Sequence, residues 1–350
     1  MKDSYFTRMG DGDGVWMSKS QIREDVLAGM EDAVKKGKAE PLNSSDVEQL
    51  VDILTMKEKN VSVERGNEGI STFDAGTLKL PVRAGVPVDR TTALLIHERI
   101  LSSDTMELAN TDYSYKAIKN IIPEEAMCME AAQQLCIMPI LYGAMPNLGL
   151  YTKPDGPIEN WAELLPGGKI KEAMVAQEDA AEQCKNDMVY IGSLMAEAGT
   201  CGLQFDTCGA SGDADFLASL EAVKILAKKY PDTAITMGMA NEFTLGMHGK
   251  LTFEGVRLAG QYPAQQVKMV EAAGGHSFGA VINTNSSKSF AWNLSRSLTH
   301  VKGATRVANI PVLVNVGMGV GGIPNTNTSP TDATTRVAKA MLEIGKADGL

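Results

Sequence analysis

The stretch GLQFDTCGASGDADFLASLEAVKILAKKYPDTAITMGM, residues 202–239, decides the fold class of this chain. Gly202 to Asp206 and Ala234 to Met239 are short, mostly apolar runs of the length of a strand. Between them, Asp213 to Lys229 repeats apolar residues at helical spacing. A strand, a helix and a second strand in this order predict a right-handed crossover and parallel pairing of the two strands.

The same alternation extends in both directions from this stretch. The other apolar runs that we interpret as strands are Ile137 to Tyr142, Gly279 to Asn283 and Pro311 to Val316. The other helical patterns are Lys171 to Ala198, Ala264 to Ala273, Ser289 to Val307 and Asp332 to Ile344. Repeated strand–helix units predict an α/β fold with a parallel sheet.

We interpret this α/β fold as a (β/α)8 TIM-type barrel that is incomplete here. About five βα units would occupy residues 131–350, and residues 1–130 would form an N-terminal layer of helices and strands. In that layer we predict helices over Ser18 to Lys36, capped by serine, and over Val47 to Met56, capped by Ser44-Ser45-Asp46. An open doubly wound sheet is the alternative, because it could be complete with five strands.

The last residues, Asp348-Gly349-Leu350, have the pattern of a turn and the first residue of a further strand. The earlier passage from Glu197 to Asp206 follows the same order of helix, glycine-containing turn and strand. A strand that begins at the last residue leads us to expect that the chain is a fragment of a longer protein.

Composition excludes several classes of protein. The chain has 350 residues, 44% of them hydrophobic and 22% charged, which is ordinary for a globular protein. The net charge of −10 is spread along the chain without a basic patch, so we expect no nucleic-acid partner. We also find no apolar run of about 18 residues, so we expect no membrane partner. The five cysteines include no CxxC pair, and we therefore expect reduced thiols and a cytoplasmic location.

Polar residues follow the predicted strands at their carboxyl ends, which is where parallel α/β folds place their active sites. We predict Asp206 and Glu242 as the catalytic residues, because two carboxylates can act as acid and base or hold a cation. We predict that the substrate is bound by Tyr142, Asn283, Asn285 and Asn315.

Other motifs have simpler explanations. Asp213 and Asp215 could bind a metal, but acidic residues also favour the first turn of a helix, and the four histidines have no metal-binding spacing, so we predict no metal site. Gly317 to Gly322 fits GxGxxG, which makes a nicotinamide-dependent oxidoreductase an alternative. That motif requires a helix to open at once, whereas eight further loop residues follow here. We favour these glycines as the lining of a site entrance.

Several segments together resemble the dimethylamine:corrinoid methyltransferases of methylamine metabolism. These segments include Arg8-Met9-Gly10-Asp11-Gly12, His97-Glu98-Arg99, Tyr142-Gly143-Ala144-Met145-Pro146-Asn147, Phe205-Asp206-Thr207, Leu245-Gly246-Met247-His248-Gly249, Asn283-Thr284-Asn285, Ala291-Trp292-Asn293-Leu294 and Gly317 to Pro324. The resemblance covers essentially the whole chain.

The resemblance implies an α/β barrel that transfers a methyl group from dimethylamine to the Co(I) form of a cognate corrinoid protein. It implies no tightly bound cofactor, since the corrinoid (cobalamin) is carried by that partner protein. Gly317, Gly319, Gly321 and Gly322 would face the corrinoid. We also expect a homo-oligomer.

The family's pattern places pyrrolysine directly after the Asp-Gly-apolar triplet that is Asp348-Gly349-Leu350 here. The resemblance therefore implies a chain that is truncated at the amber (pyrrolysine) position and that lacks the catalytic pyrrolysine. Substrate nitrogen would add to the imine of pyrrolysine, with Glu242 or Asp206 handling protons. An alternative is that the fragment is catalytically inactive, or acts as a subunit that binds the corrinoid protein.

Overall fold

A computed structural model describes residues 4–61, 141–144, 148–200, 202–327 and 329–350, with the backbone alone for 141–144. The strands in this part of the chain are β1 (Ser4–Arg8), β2 (Gly14–Ser18), β3 (Leu141–Ala144), β4 (Gly202–Cys208), β5 (Ala234–Met239), β6 (Thr252–Phe253), β7 (Val256–Arg257), β8 (Ser277–Ala280) and β9 (Val312–Val314). The helices are α1 (Lys19–Gly37), α2 (Ser44–Leu54), α3 (Trp161–Leu164), α4 (Ile170–Glu197), α5 (Asp213–Lys229), α6 (Pro263–Ala273), α7 (Phe290–Val307) and α8 (Thr331–Glu343).

The chain divides into two compact units. The first unit contains residues 1–138, 282–306 and 311–350, and the second contains residues 139–281 and 307–310. Each unit is built from segments that are distant in the sequence. The predicted division into residues 1–130 and 131–350 stays a prediction.

The second unit is organised around a parallel sheet in which β3, β4, β5 and β8 are neighbours in this order. Residues on one face of the sheet are apolar and at most 2% exposed: Leu203, Phe205, Ile235, Met237 and Phe278. Helix α4 packs against α5, and α5 packs against α6. The predicted α/β fold with parallel strands is therefore confirmed.

The first unit begins with an antiparallel hairpin of β1 and β2, in which Phe6 is paired with Trp16. Helix α1 begins after the predicted cap Ser18, whose side chain accepts a hydrogen bond from the Gln21 N–H. The predicted cap of helix α2 is wrong: the N-cap residue is Asn43 and not Ser44-Ser45-Asp46. The Asn43 side chain accepts from the Asp46 N–H at 2.8 Å, and the Asp46 carboxylate accepts from the Asn43 N–H at 3.1 Å.

The predicted positions of the later helices agree closely with the structure, whereas β3 and β4 end two residues later than predicted, β9 is shorter at both ends, and β8 is shifted. Helix α5 and strand β5 have the predicted bounds. In α4, α6, α7 and α8, no end lies more than one residue from its predicted position. Strand β8 covers Ser277–Ala280, two to three residues before the predicted Gly279 to Asn283. The shift has a physical reason, because the Ser277 and Thr236 hydroxyl groups form a hydrogen bond of 2.6 Å between β8 and β5.

The prediction that a further strand begins at the last residues agrees in part with the structure. Gly349 forms an isolated parallel bridge with Leu313 of β9. Residues 137–140 of the first predicted strand lie outside the described residues, and β3 begins at Leu141. In the part of the chain that the structure describes, we find no helix with the length and apolar character that a membrane span requires.

Candidate active site

The second face of the parallel sheet in the second unit is polar. Gln204 and Asp206 of β4 alternate with the buried Leu203 and Phe205, and their side chains are half-buried. Thr236 of β5 and Ser277 of β8 continue this face, and the strand register places them in the same row as Gln204. A parallel sheet that packs on both faces is usually apolar on both. Gln204, Thr236 and Ser277 on this polar face are candidate site residues that sequence reasoning missed.

Asp206 lies at an irregularity of β4. The pairing of β4 with β5 shifts register between Phe205 and Cys208, as in a β-bulge. Thr207 has a φ of 57°, a left-handed conformation that β-branched residues rarely adopt, and its N–H donates to Asp206 Oδ1 at 2.7 Å. Bulges of this kind redirect side chains and are common beside active sites. The local backbone thus sets the direction of the predicted catalytic carboxylate.

Glu242, the second predicted catalytic residue, lies three residues after β5 and is 7% exposed. Backbone hydrogen bonds hold the segment that follows. The Thr244 N–H donates to the Gln261 carbonyl oxygen at 2.9 Å, and the Gly260 N–H donates to the Thr244 carbonyl oxygen at 2.8 Å. The Thr244 hydroxyl also accepts from Gln266 Nε2 at 3.4 Å. Glu242 is therefore a buried carboxylate on an ordered segment.

Asp213 braces the same segment from α5. Asp213 is fully buried, and its carboxylate accepts from the Gly249 N–H at 2.7 Å and from the His248 N–H at 3.2 Å. The His248 side chain is 2% exposed, and its Nε2 lies 3.0 Å from Gln177 Oε1. The His248 imidazole thus packs against α4. Asp213 has a structural role, as its place in the first turn of a helix predicts.

Asp215, also in the first turn of α5, is 1% exposed. Its carboxylate accepts from the Ser211 N–H at 3.0 Å and from the Ser219 hydroxyl at 3.4 Å. Burial raises the pKa of Asp215 to about 6. Across the described residues, we find no cluster of histidine, cysteine, aspartate and glutamate that could hold a metal ion.

Two of the predicted site segments meet in the first unit. Asn283 forms an antiparallel bridge with Val320, and the Thr284 N–H donates to the Gly319 carbonyl oxygen at 2.9 Å. The Gly321 N–H donates to the Ile282 carbonyl oxygen at 2.9 Å. The asparagine segment and the glycine segment therefore form one loop cluster.

The N-terminal turn joins this loop cluster. The Gly10 N–H donates to the Lys288 carbonyl oxygen at 2.7 Å, and the Asn325 N–H donates to the Gly10 carbonyl oxygen at 2.8 Å. A Cβ at Gly10 would lie 2.2 Å from the Asn285 carbonyl oxygen, so the close approach requires glycine. The segment Arg8 to Gly12, which contributes to the resemblance, thus has a packing role.

The predicted substrate-binding asparagines differ in their surroundings. Asn285 is exposed, and its side-chain oxygen accepts from the N–H and hydroxyl of Ser287 at 3.0 and 2.7 Å. Asn315 is also exposed, one residue after β9. Tyr142 pairs with Leu203 through the sheet, and its side chain lies outside the described residues. Asn285 is thus engaged in its own turn.

Sequence reasoning missed Asn293, which organises this loop from α7. Asn293 is 2% exposed, and its Oδ1 accepts from the Asn285 N–H at 2.8 Å. Its Nδ2 donates to the carbonyl oxygens of Asn285, Ser289 and Lys288 at 2.9, 3.0 and 3.3 Å. Two signals could have indicated it: an asparagine inside an apolar helical pattern, and its place in the segment Ala291-Trp292-Asn293-Leu294, which contributes to the resemblance.

The glycine segment Gly317 to Gly322 does not open a helix, because α8 begins only at Thr331. Gly321 has a φ of 69°, and a Cβ there would lie 2.7 Å from the Asn315 carbonyl oxygen. Gly322 has a φ of 92°, and a Cβ there would lie 2.9 Å from Leu294 Cα. These glycines have a conformational reason, and the segment lacks the helix that a dinucleotide fingerprint needs.

Carboxylates at the carboxyl ends of parallel strands, beside a polar sheet face, are typical of an α/β enzyme. A family model described as dimethylamine methyltransferase (Dimeth_PyL) matches residues 3–350. The chain therefore belongs to the dimethylamine methyltransferase family. No solved structure matches the chain.

Proposed function

We propose that this protein moves one methyl group from dimethylamine to the Co(I) atom of a corrinoid that a cognate partner protein carries. The products are methylamine and methyl-Co(III). The C–N bond of the activated amine breaks and leaves its electron pair on nitrogen, and Co(I) supplies both electrons of the new Co–C bond. The family match over residues 3–350 is the observation that carries this proposal.

The polar sheet face supports a role for Asp206. A carboxylate that is half-buried beside other polar side chains can bind a small ammonium ion by charge and hydrogen bonding. It can also take the proton that the ammonium must lose before its nitrogen reacts. Glu242 is the second candidate for this proton transfer, because it is buried on the segment after β5. Small size and positive charge of the substrate fit a site of this kind.

The proposal includes the finer features that the resemblance implies. We propose a (β/α)8 barrel, which the parallel order of β3, β4, β5 and β8 supports, and a cytoplasmic, homo-oligomeric enzyme. The loop cluster with Gly317, Gly319, Gly321 and Gly322 would face the corrinoid, and Asn283, Asn285, Asn315 and Tyr142 would contact the substrate. Pyrrolysine would supply the electrophilic imine for the substrate nitrogen.

Matched carboxylate variants test the proposal. Asp206→Asn and Glu242→Gln remove the two candidate charges, whereas Asp232→Asn and Glu163→Gln remove exposed charges. Formation of methyl-Co(III) is followed by absorbance in the full-length native protein with its corrinoid partner and dimethylamine. We expect a loss of about 100-fold or more in kcat for the variant of the proton-transferring carboxylate, and wild-type rates for both controls. Full activity of both Asp206→Asn and Glu242→Gln would overturn the assigned roles.

Mass spectrometry of the native gene product tests the pyrrolysine part separately. Peptides that continue past Leu350 with the mass of pyrrolysine at the next position would support it. A native protein whose chain ends at Leu350 would contradict it and would favour a subunit that only binds the corrinoid protein.

A further inference from the structure

Gly238 of β5 lies directly against the Asp206 carboxylate of β4. A Cβ at Gly238 would lie 2.5 Å from Asp206 Oδ1 and 3.3 Å from Asp206 Cγ. A Cβ atom does not approach a carboxylate oxygen to 2.5 Å, so the carboxylate occupies the space that a side chain at position 238 would fill. Asp206 thus depends on a glycine in the neighbouring strand.

The backbone does not explain glycine at this position. Gly238 lies inside a regular strand, in register with Gly279 of β8, and neither has the positive φ that favours glycine. Glycine inside a strand is destabilising relative to alanine. The close approach therefore gives the physical reason for glycine at position 238.

Gly279 of β8, which is paired with Gly238, also lies where a side chain would not fit. A Cβ at Gly279 would lie 2.9 Å from Gly238 Cα, so β8 approaches β5 more closely than a side chain would allow. Two adjacent glycines thus leave the polar sheet face open beside Asp206. One row below, the Thr236 and Ser277 hydroxyl groups are hydrogen-bonded to each other.

A hydrogen bond and the open space at Gly238 together fix the position of Asp206 Oδ1. The Thr207 N–H donates to Oδ1 at 2.7 Å, and the bare backbone of Gly238 allows Oδ1 to stay in that position. A methyl group at position 238 would first meet the carboxylate and not the backbone, since the nearest backbone atom of β4 is Asp206 Cα at 3.6 Å. Rotation of the Asp206 side chain would relieve the contact without unfolding the sheet.

We propose that Gly238 is a positioning residue for the Asp206 carboxylate and thereby sets how tightly the site holds the dimethylammonium ion. The inference rests on the proposed function for its substrate, but the contact between Gly238 and Asp206 can be tested without it. Filling position 238 displaces Oδ1 from the Thr207 N–H and moves the negative charge away from the substrate nitrogen.

The structural part is tested with Gly238→Ala by nuclear magnetic resonance. Asp206→Asn assigns the Asp206 carboxyl-carbon signal by its disappearance. We expect that signal to move in Gly238→Ala and the Thr207 amide to exchange faster with solvent, while the thermal unfolding midpoint stays near the wild-type value. The matched control is Gly303→Ala in α7, where the nearest atom to the new Cβ is 4.0 Å away. An unchanged Asp206 signal in Gly238→Ala would overturn the proposal even if the protein has no methyltransferase activity.

The functional part is tested by a double-mutant cycle with dimethylamine and the corrinoid partner. We expect Gly238→Ala to lower kcat/KM by about tenfold or more, mainly through KM, in the background that contains Asp206. In the Asp206→Asn background, the same change should alter dimethylamine affinity less than about twofold, because the group on which Gly238 acts is absent. Equal effects of Gly238→Ala on dimethylamine affinity in both backgrounds would show that Gly238 acts independently of Asp206 and would overturn the proposal. A wild-type protein without turnover would instead contradict the proposed function.

Discussion

Asp348 and Val312 exchange two hydrogen bonds. The Asp348 N–H donates to the Val312 carbonyl oxygen at 2.9 Å, and the Val312 N–H donates to Asp348 Oδ2 at 2.8 Å. The next backbone bond runs from the Val314 N–H to the Gly349 carbonyl oxygen at 3.0 Å. One aspartate side chain thus aligns its own segment with β9, because it satisfies the N–H at the start of that strand.

Removal of this side chain should loosen the alignment. We expect Asp348→Ala to lower the free energy of unfolding by about 1 kcal/mol, because the Val312 N–H loses its acceptor. Chemical denaturation measures the change, and Asp232→Ala in an exposed turn is the matched control. Equal stability of the two variants would contradict this role of Asp348.

The Asp215 carboxylate makes stability depend on pH. Burial raises its pKa to about 6 from an ordinary value of 3.8. Because the folded-state pKa is the higher one, the stabilisation is complete below about pH 4 and is lost as the pH rises through 6. Integration over this interval gives a loss of about 3 kcal/mol at most. We expect wild type to lose stability relative to Asp215→Asn as the pH rises from 4 to 7. Chemical denaturation of both proteins at several pH values measures this difference in the free energy of unfolding. A difference that is independent of pH would refute the assignment.

Arg336 of α8 ties the segment after α2 into the first unit. Its guanidinium donates to the carbonyl oxygens of Met56, Glu58 and Lys59 at 2.8 to 3.2 Å, and to that of Asp332 at 3.0 Å. A lysine cannot reproduce this planar arrangement of donors.

We therefore expect Arg336→Lys to cost about 1–3 kcal/mol of stability, since several carbonyl groups lose a charged donor. The matched control is Arg306→Lys, because Arg306 pairs with Glu40 in an exposed salt bridge whose loss costs less than about 1 kcal/mol. Thermal and chemical unfolding of both variants measure the difference. The interpretation fails if the two substitutions cost the same.

Asp213 should control the mobility of the segment that follows Glu242. In Asp213→Asn, one of the two N–H groups of His248 and Gly249 faces an amide nitrogen that cannot accept a hydrogen bond. We expect backbone amide exchange in residues 243–251 to speed up by about tenfold or more. Asp232→Asn serves as the control, and unchanged exchange in Asp213→Asn would contradict the bracing role.

The elements of this fold could be predicted because they depend on local patterns. The alternation of apolar strands with helical repeats gives α5 and β5 their bounds. The exact place of β8 could not be predicted in this way, because a hydroxyl pair between Thr236 and Ser277 helps to decide it. The β1–β2 hairpin was also missed, since its exposed Phe6 and Trp16 do not follow a pattern of burial.

The candidate site could be predicted only where the residues carry an obvious charge. Asp206 follows an apolar run and is visible in the sequence. Gly238 is not, because its importance lies in a distance to Asp206 that depends on strand register and on the bulge at Thr207. Asn293 and Gln204 were missed for the same reason, since their contacts are formed only in the folded chain.

The most direct test of the proposed function is the methyl balance of the reaction. The full-length native protein is incubated with the Co(I) form of its corrinoid partner and, separately, with methylamine, dimethylamine or trimethylamine. We predict that dimethylamine alone gives rapid formation of methyl-Co(III) together with an equal amount of methylamine. Absence of methyl-Co(III) with dimethylamine would contradict the account.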